Sequence, residues 1–369
     1  MLNTMLLRYW IGGVVVLNVL SSCGSFSGSV TQLGPETIAR ANKVQQKTYT
    51  NPVFEPILAD PTVVRDPKSN MFYAYGTADN WGDGKGQRLV SILQSSDLVQ
   101  WTWTGTAFSS KPSWKAEGGI WAPDVVELNG KYLMYYAYST WGDPNPGIGI
   151  ALADAPEGPF IDQGKLFDSK QINVPNSIDP YFFMENGQNY LFWGSFSDAE
   201  TQGTYGVELD QNGTAVPDLN KKFKVAAGDF EAVVIHKRKG YYYFIGSKGS
   251  CCEGEKSSYH VLVGRSRNLK GPYMDREGRN LVQRGSGTLL LRGNDQFVGT
   301  GHTSRIITDD KGKDWILYHG MDPKQPRVAT GGNRRMLFLD QIVWDKDWPK
   351  IEGATSSVAV QPAPTFNFK

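Results

Sequence analysis

The sequence predicts an all-β protein, and within that class a five-bladed β-propeller, on three observations. Aromatic-rich strands recur at "MFYAYGT", "KYLMYYAYS", "NYLFWGSF", "YYYFIGS" and "DWILYHG", roughly 50 to 75 residues apart. Each follows an apolar strand and a polar turn, so the repeating unit is an antiparallel hairpin. Helical periodicity is almost absent from the body of the chain. A single period through the whole body favours a propeller over its rival, a pair of β-sandwiches.

The five hairpins follow in order. The first is "DPTVVRDPKSNMFYAYG" and the second "PDVVELNGKYLMYY", turning at Asn129-Gly130. The third, "DPYFFMENGQNYLFWG", turns at Asn186-Gly187, and the fourth, "EAVVIHKRKGYYYFIG", at Lys239-Gly240. The fifth is "HTSRIITDDKGKDWILYHG". Asn-Gly and Lys-Gly pairs suit tight hairpins because the glycine accepts a positive φ. Third strands follow in "LVSILQSSDLVQW", "GIGIALADAPEGPF" and "YHVLVGRSRNLKGPY", and the last copy ends in "MLFLDQIVWDKDWP". The propeller is therefore expected over residues 49–349, with 350–369 a polar, Pro-containing tail of no assigned structure.

Ahead of the propeller, residues 1–22 read as a signal peptide. "WIGGVVVLNVL" is apolar but too short to span a bilayer with ease. "LSSC", ending at Cys23, resembles a bacterial lipobox. It implies cleavage before Cys23, lipidation of that residue and, with no Asp following, an outer-membrane address. Residues 23–48, small and polar, are expected to be a flexible tether. The chain carries 38 Lys+Arg against 37 Asp+Glu, a balance that offers no electrostatic reason to seek nucleic acid. With 11 Trp, 17 Tyr and 17 Phe, an exposed aromatic surface of the kind that binds carbohydrate is expected. A monomer acting on a polysaccharide or oligosaccharide is the expected state, touching the membrane only through its lipid.

Ionisable residues recur near the start of the first strand in each copy. Asp60, Asp179, Glu231 and His302 stand four positions before Val64, Phe183, Ile235 and Ile306, and Asp124 lies two residues further along its own copy. First strands line the channel of a propeller, so these residues should converge at one end of it. Most carboxylates are merely solvated, but several in register suggest a shared site. Several carboxylates, no Ser or Cys nucleophile signature and many aromatics suit glycoside hydrolysis.

The same residues carry a family resemblance. "ADPTVVRD", "IWAPDVVELNGKYLMYY", "NSIDPYFF", "FEAVVIHKRKGYYYF" and "GTGHTSRIITDDKGKDWILYHG", in this order, resemble glycoside hydrolase family 43 over about residues 50–349. "GSCCEGEKSSYHVLVGRSRNLKGPYMDREG" resembles its arabinanase branch. The resemblance implies an inverting hydrolase of α-1,5-L-arabinan, active in plant polysaccharide breakdown. An exo-acting arabinofuranosidase, a β-xylosidase or a non-catalytic glycan-binding propeller are the alternatives. It implies Asp60 as general base, Asp179 as the carboxylate that tunes the acid, and Glu231 as general acid. No cofactor is needed for the chemistry, but a calcium ion in the channel near His302 is implied. Trp121, Asn176, Ser195 and Phe230 are candidate sugar contacts, and Asp124 has a structural or substrate-orienting role. Two departures stand out: Ala59 where many arabinanases have His, and Val233 where Pro often follows the acid motif.

Other features are expected to be bland. Arg65-Asp66-Pro67 reads as a turn, and His236, His260 and His319 as strand or turn residues. The adjacent Cys251 and Cys252 are expected to shape the cleft rim, since sequence neighbours rarely bridge, with a vicinal bridge in an oxidising envelope the alternative. Trp81, Trp114 and Trp141, in loops, suit a sugar platform or packing equally.

Overall fold

The computed structural model describes residues 47–194 and 201–367. The signal segment, Cys23, most of the tether and Ser195 lie outside the described residues. Five antiparallel sheets follow one another along the chain, each with strands in sequence order from the inside outward. Blade 1 is Thr62–Arg65, Phe72–Tyr75, Ser91–Ser95 and Thr102–Thr106. Blade 2 is Gly119–Leu128, Lys131–Ser139, Gly147–Ala153 and Ile161–Asp168. Blade 3 is Tyr181–Glu185, Gln188–Trp193, Gly203–Glu208 and Phe223–Ala227. Blade 4 is Glu231–Arg238, Tyr241–Lys248, His260–Ser266 and Thr288–Leu291. Blade 5 is Val298–Gly301, Asp314–Met321, Met336–Asp345 and Trp348–Lys350, with Ile307–Thr308 also pairing onto its second strand.

The hairpin turns form as the sequence predicts. Asn129 and Gly130 sit at φ 53° and 80°, Asn186 and Gly187 at 51° and 78°, and Lys239 and Gly240 at 48° and 73°. Two successive positive φ values define the turn whose twist matches the flanking strands. Arg65-Asp66-Pro67 is also a turn: the Asp66 carboxylate accepts from the Ser69 amide at 2.7 Å, and its carbonyl from the Asn70 amide.

The aromatic residues are mostly not at the surface. Tyr132, Tyr135, Tyr136 and Tyr138 of blade 2 are all buried, as are Tyr73, Tyr75, Tyr243 and Tyr318. Their strands are covered on both faces by neighbouring blades, which removes the inside–outside alternation of an open sheet. Val64, Tyr73 and Tyr75 pack with Val125, Tyr132 and Tyr136 between blades 1 and 2. Leu317 and Leu339 pack with Val63 and Phe72 between blades 5 and 1. The hydroxyls find partners at the core's edge, for example Tyr75 to the Pro156 carbonyl at 2.6 Å and Tyr135 to the Gly213 carbonyl at 2.7 Å. Aromatic richness here serves inter-blade packing.

The residue at the mouth of each inner strand has left-handed backbone: Asp60 (φ 53°), Ala122 (42°), Asp179 (55°), Ala232 (56°) and His302 (49°). In four of these five the backbone N–H donates to a side chain of an adjacent blade. Ala122 bonds Thr77 Oγ1 at 2.9 Å, Ala232 bonds Asp179 Oδ2 at 3.0 Å, His302 bonds Ser247 Oγ at 2.9 Å, and Asp60 bonds His319 Nδ1 at 3.1 Å. Asp124 completes the ring from below. Its Oδ1 accepts from Thr62 Oγ1 at 2.8 Å and Arg305 Nη2 at 2.6 Å, and its Oδ2 from the Phe182 amide at 2.8 Å. One carboxylate thus ties blades 1, 2, 3 and 5.

Blade 5 is built wholly from its own stretch of chain, and both flanking segments seal it against blade 1. Asn51 exchanges two hydrogen bonds with the Leu339 backbone, each 2.9 Å, and the Leu58 amide bonds the Arg335 carbonyl at 2.9 Å. Thr48–Tyr49 pairs with Gln361–Pro362, and Phe366 packs on Phe72 at 4.6 Å. The segment after residue 349, unassigned from sequence, is therefore part of the closure.

Replacing Asp124 with Ala leaves Arg305 and the Phe182 amide buried without their acceptor. The expected cost is about 3–5 kcal/mol, read as a lower midpoint in urea unfolding.

Candidate active site

The positive-φ residues put Asp60, Asp179 and His302 at the same position in three blades, all at one mouth of the channel. Glu231 is offset by one: the left-handed residue of blade 4 is Ala232. The strand register shows which residues correspond: in blade 1 the Thr77 amide bonds the Ala59 carbonyl and Thr62 pairs with Tyr75, the same three-against-two spacing as in blade 4. Glu231 pairs with Ser247 and Val234 with Ile245, so one extra residue lies between. Blade 2 has the same bulge, with Trp121 pairing Ala137 and Asp124 pairing Tyr135. Glu231 is therefore equivalent to Trp121, and Asp60 to Ala122. Counting four back from an apolar residue misses this, because the blade-4 equivalent of Val64 is the polar His236 and not Ile235: Val64 pairs with Tyr73 and His236 with Tyr243.

Asp60 is buried, and each of its carboxylate oxygens accepts a hydrogen bond. Its Oδ1 accepts from Arg335 Nη1 at 2.7 Å, and its Oδ2 from Thr77 Oγ1 at 2.5 Å. Nδ1 of His302 and Nδ1 of His319 each lie 3.3 Å from Oδ1. Burial pushes the carboxyl up, but the Arg335 charge, with the two imidazoles, overrides it and holds Asp60 well below the usual carboxylate range. His302, buried, falls to about 4 despite the attraction of Asp60. It is neutral at neutral pH, which leaves Arg335 as the fixed cation beside Asp60. Arg335 also reaches Asp79 at 3.7 Å, whose carboxyl rises to about 6 through burial, partly offset by Arg335.

The other two carboxylates have the opposite setting. Asp179 is buried and accepts a hydrogen bond from the Ala232 amide at 3.0 Å. Burial first, then the charges of Glu231 and Asp60, push it well above the usual range. Asp179 and Glu231 thus share a site that disfavours two negative charges. The buried Tyr259 hydroxyl lies against Glu231, and burial followed by the charges of Glu231 and Asp179 keeps it protonated. The turn ahead of Glu231 is pinned by Lys248, whose Nζ bonds Asp229 Oδ2 at 2.7 Å and the Ser286 carbonyl at 2.9 Å.

The expected sugar contacts divide. Trp121 lines an open groove of about 440 Å³ with Gln87, Lys111, Glu117, Thr140 and Trp141. Trp141, 81% exposed, lies 5.7 Å from Trp121. Trp81 instead packs on Phe54 and under Arg88, and Trp114 donates to Tyr136 at 3.0 Å. Phe230 is fully buried against Phe244 and is not a sugar contact. Both oxygens of Asp124 are taken by protein donors, so it serves the ring. Asn176 is half-buried, three residues before Asp179 and itself left-handed at φ 53°. A second hollow, of about 380 Å³ between Tyr259, Arg292 and Gly299, holds none of the three carboxylates.

A calcium ion would need several oxygen ligands. Among the described residues no three His, Cys, Asp or Glu gather as a metal site. His302 presents a nitrogen to a carboxylate already neutralised by Arg335. The donor set does not fit the expected calcium. Cys251 and Cys252 bridge each other, the alternative to the favoured reading.

A match to the family model "Glycosyl hydrolases family 43" covers residues 49–349. The chain belongs to glycoside hydrolase family 43. A Bacillus subtilis relative, an extracellular endo-α-(1→5)-L-arabinanase, is 30% identical, over 79% of this chain and 87% of its own. An extracellular exo-α-(1→5)-L-arabinofuranosidase of Cellvibrio japonicus is 29% identical over 79% and 86%. Among solved structures, a Cellvibrio cellulosa α-L-arabinanase complexed with arabinohexaose superimposes with a TM-score of 0.68 at 27% identity, covering 82% of this chain and 99% of its own.

In this family-43 hydrolase, sequence reasoning missed Arg335, His319, Thr77 and Tyr259. Arg335 stands at the start of an apolar strand, the very signal that singled out Glu231. That strand is third in its blade, and only first strands were expected to face the channel.

Asp179 and Glu231 titrate as a pair that holds a proton to raised pH, and replacing Asp179 with Asn leaves Glu231 to titrate without a second carboxyl beside it. Glu231 then loses its proton at lower pH, and the alkaline limb of the kcat/KM profile shifts down. Replacing Arg335 with Met removes the cation that holds Asp60 ionised. The Asp60 pKa rises and the acidic limb shifts up. Both are read from pH–rate profiles on a soluble arabinoside.

Proposed function

We propose that the enzyme is an inverting hydrolase of α-1,5-L-arabinan. Asp60 draws a proton from water as that water attacks the anomeric carbon. Glu231 gives its proton to the departing glycosidic oxygen, so the C–O bond breaks with no charged product. Asp179 keeps Glu231 protonated until that moment. The observation that carries this reading is the split in environment: one carboxylate beside a fixed guanidinium, the other two crowded together. Environments that push carboxyl groups apart in pKa assign base and acid. Inversion further requires about 6.5–9.5 Å between the two working groups. The arabinan preference rests on the relatives' activities and on the Trp121–Trp141 groove. Trp121 occupies the blade-2 position equivalent to Glu231, so the groove begins at the mouth where the acid stands.

His302 is assigned to the surroundings of Asp60, with no step routed through a metal. Export follows the extracellular relatives. Anchoring through a lipidated Cys23, to the outer membrane, is the finer proposal; Cys23→Ala should release the enzyme into the soluble fraction on cell fractionation.

Endo and exo action divide the two relatives of near-equal identity. Sizing the products from debranched arabinan distinguishes them: a ladder of oligomers means internal cleavage, a single small product means cleavage from an end. Asp60→Asn and Glu231→Gln should each lower turnover at least about a hundredfold, measured as reducing ends released. Near-normal release by either variant overturns the assignment, and binding without release by the wild type would leave a glycan-binding module.

A further inference from the structure

Two rim loops meet on the carboxylate face of blades 4 and 5. Residues 249–259 join Tyr241–Lys248 to His260–Ser266. Residues 322–335 join Asp314–Met321 to Met336–Asp345. Each loop ends on a residue of the site. The first ends on Tyr259, whose hydroxyl lies against Glu231 and whose ring stacks on His319, centroids 5.7 Å apart and 11° from parallel. Tyr259 is wedged there: a Cβ on Gly301 would come within 2.4 Å of its ring. The second loop ends on Arg335, bonded to Asp60.

Asn333 grips both loops. Its Nδ2 donates to the Cys252 carbonyl at 2.9 Å, and its Oδ1 accepts from the Gly254 amide at 3.0 Å. Its own carbonyl accepts from the Arg335 amide at 3.1 Å. On the other side, the Cys251–Cys252 bond closes the turn that Asn333 holds. From that turn, Glu253 donates to Ser257 Oγ at 2.9 Å. The amides of Ser258 and Tyr259 both bond the Ser250 carbonyl, at 3.1 and 3.0 Å. The path from the cysteines to Tyr259 is thus a continuous hydrogen-bonded turn with little slack.

We propose that Asn333 and the Cys251–Cys252 bond form a latch between the two rim loops, positioning Tyr259 on the acid side and Arg335 on the base side, and that reducing this bond loosens the latch and lowers turnover. The proposal rests on the reading of Asp60 and Glu231 above. Asn333 is a positioning residue; it acts through Arg335 and through the held turn. Both cysteines are partly exposed, so a small dithiol reaches them. The dithiol gives two electrons and two protons, the S–S bond opens to two thiols, and the reductant closes to its own disulfide.

The test compares kcat and KM on debranched arabinan for wild type, Asn333→Ala, Asn333→Asp and the Cys251→Ser/Cys252→Ser double variant. Each is assayed with and without dithiothreitol, and thermal midpoints are recorded. Asn333→Ala should lose about tenfold in kcat, since sub-ångström displacement of working groups is costly, with KM within about twofold. Asn333→Asp keeps the acceptor and loses the donor, so it should fall between. The double variant should match reduced wild type and ignore dithiothreitol. Unchanged kcat in Asn333→Ala together with no response of wild type to dithiothreitol overturns the latch. So does a loss explained by unfolding at the assay temperature in every variant. If Asn333→Ala does not fold, the response of wild type and the double variant to reductant decides alone. Asp60→Asn and Glu231→Gln, run alongside, separate the two failures: activity in those variants sinks the site assignment, whereas their inactivity beside a wild-type-like Asn333→Ala sinks only the latch.

Discussion

The left-handed residue at the mouth of each inner strand is the constraint from which the site follows. A non-glycine residue in that conformation costs about 1–2 kcal/mol. The cost is met by the bond its turned-out N–H makes to a neighbouring blade: Ala122 to Thr77, Ala232 to Asp179, His302 to Ser247, Asp60 to His319. The same kink stitches the ring and aims side chains at the channel. Stability and site geometry therefore share one set of atoms. That overlap explains why Asp179 can both hold the backbone of blade 4 and sit against the residue that precedes it there.

The ring then sorts its carboxylates by their surroundings. Three are buried and structurally similar, yet they differ in company. Asp60 has Arg335, Asp124 has Arg305, and Asp179 has another acid. Asp124 is fully satisfied by protein donors and holds the ring together below the mouth. Asp60 is ionised but still flanked by neutral imidazoles. The Asp179–Glu231 pair sets two acids side by side, a setting that disfavours the second negative charge. Neighbouring positions at the mouths of the inner strands, repeated around an axis, thus yield a clamp, a base and an acid through the identity of a few neighbours.

Much of this was legible in the sequence. Hairpin turns such as Asn129-Gly130 and Asn186-Gly187 carry their own conformational signature, and five of them in series define the propeller. Asp60, Asp179 and Glu231 are visible because a charge ahead of an apolar run is conspicuous. What stayed hidden depends on the third dimension. Glu231 stands one position ahead of its apparent register because a polar His236 takes the place that Val64 holds in blade 1. Phe230 looks like a neighbour of the acid but turns into the core, since adjacent strand residues face opposite ways. Arg335 and His319 come from outer strands of blade 5 and reach Asp60 only when the ring closes. The tyrosines look like a sugar surface until blades cover both faces of their strands. The bridge between Cys251 and Cys252 has no spacing signal at all.

The seam between Thr48–Tyr49 and Gln361–Pro362 has a topological consequence. The first and last described strands lie side by side, so a short linker joins them without disturbing any blade. The polypeptide could then be reopened at a hairpin tip such as Asn186-Gly187, far from the carboxylates. Where the chain starts is thus independent of how the ring works: the blades form a cycle that biosynthesis happens to cut between the fifth and the first.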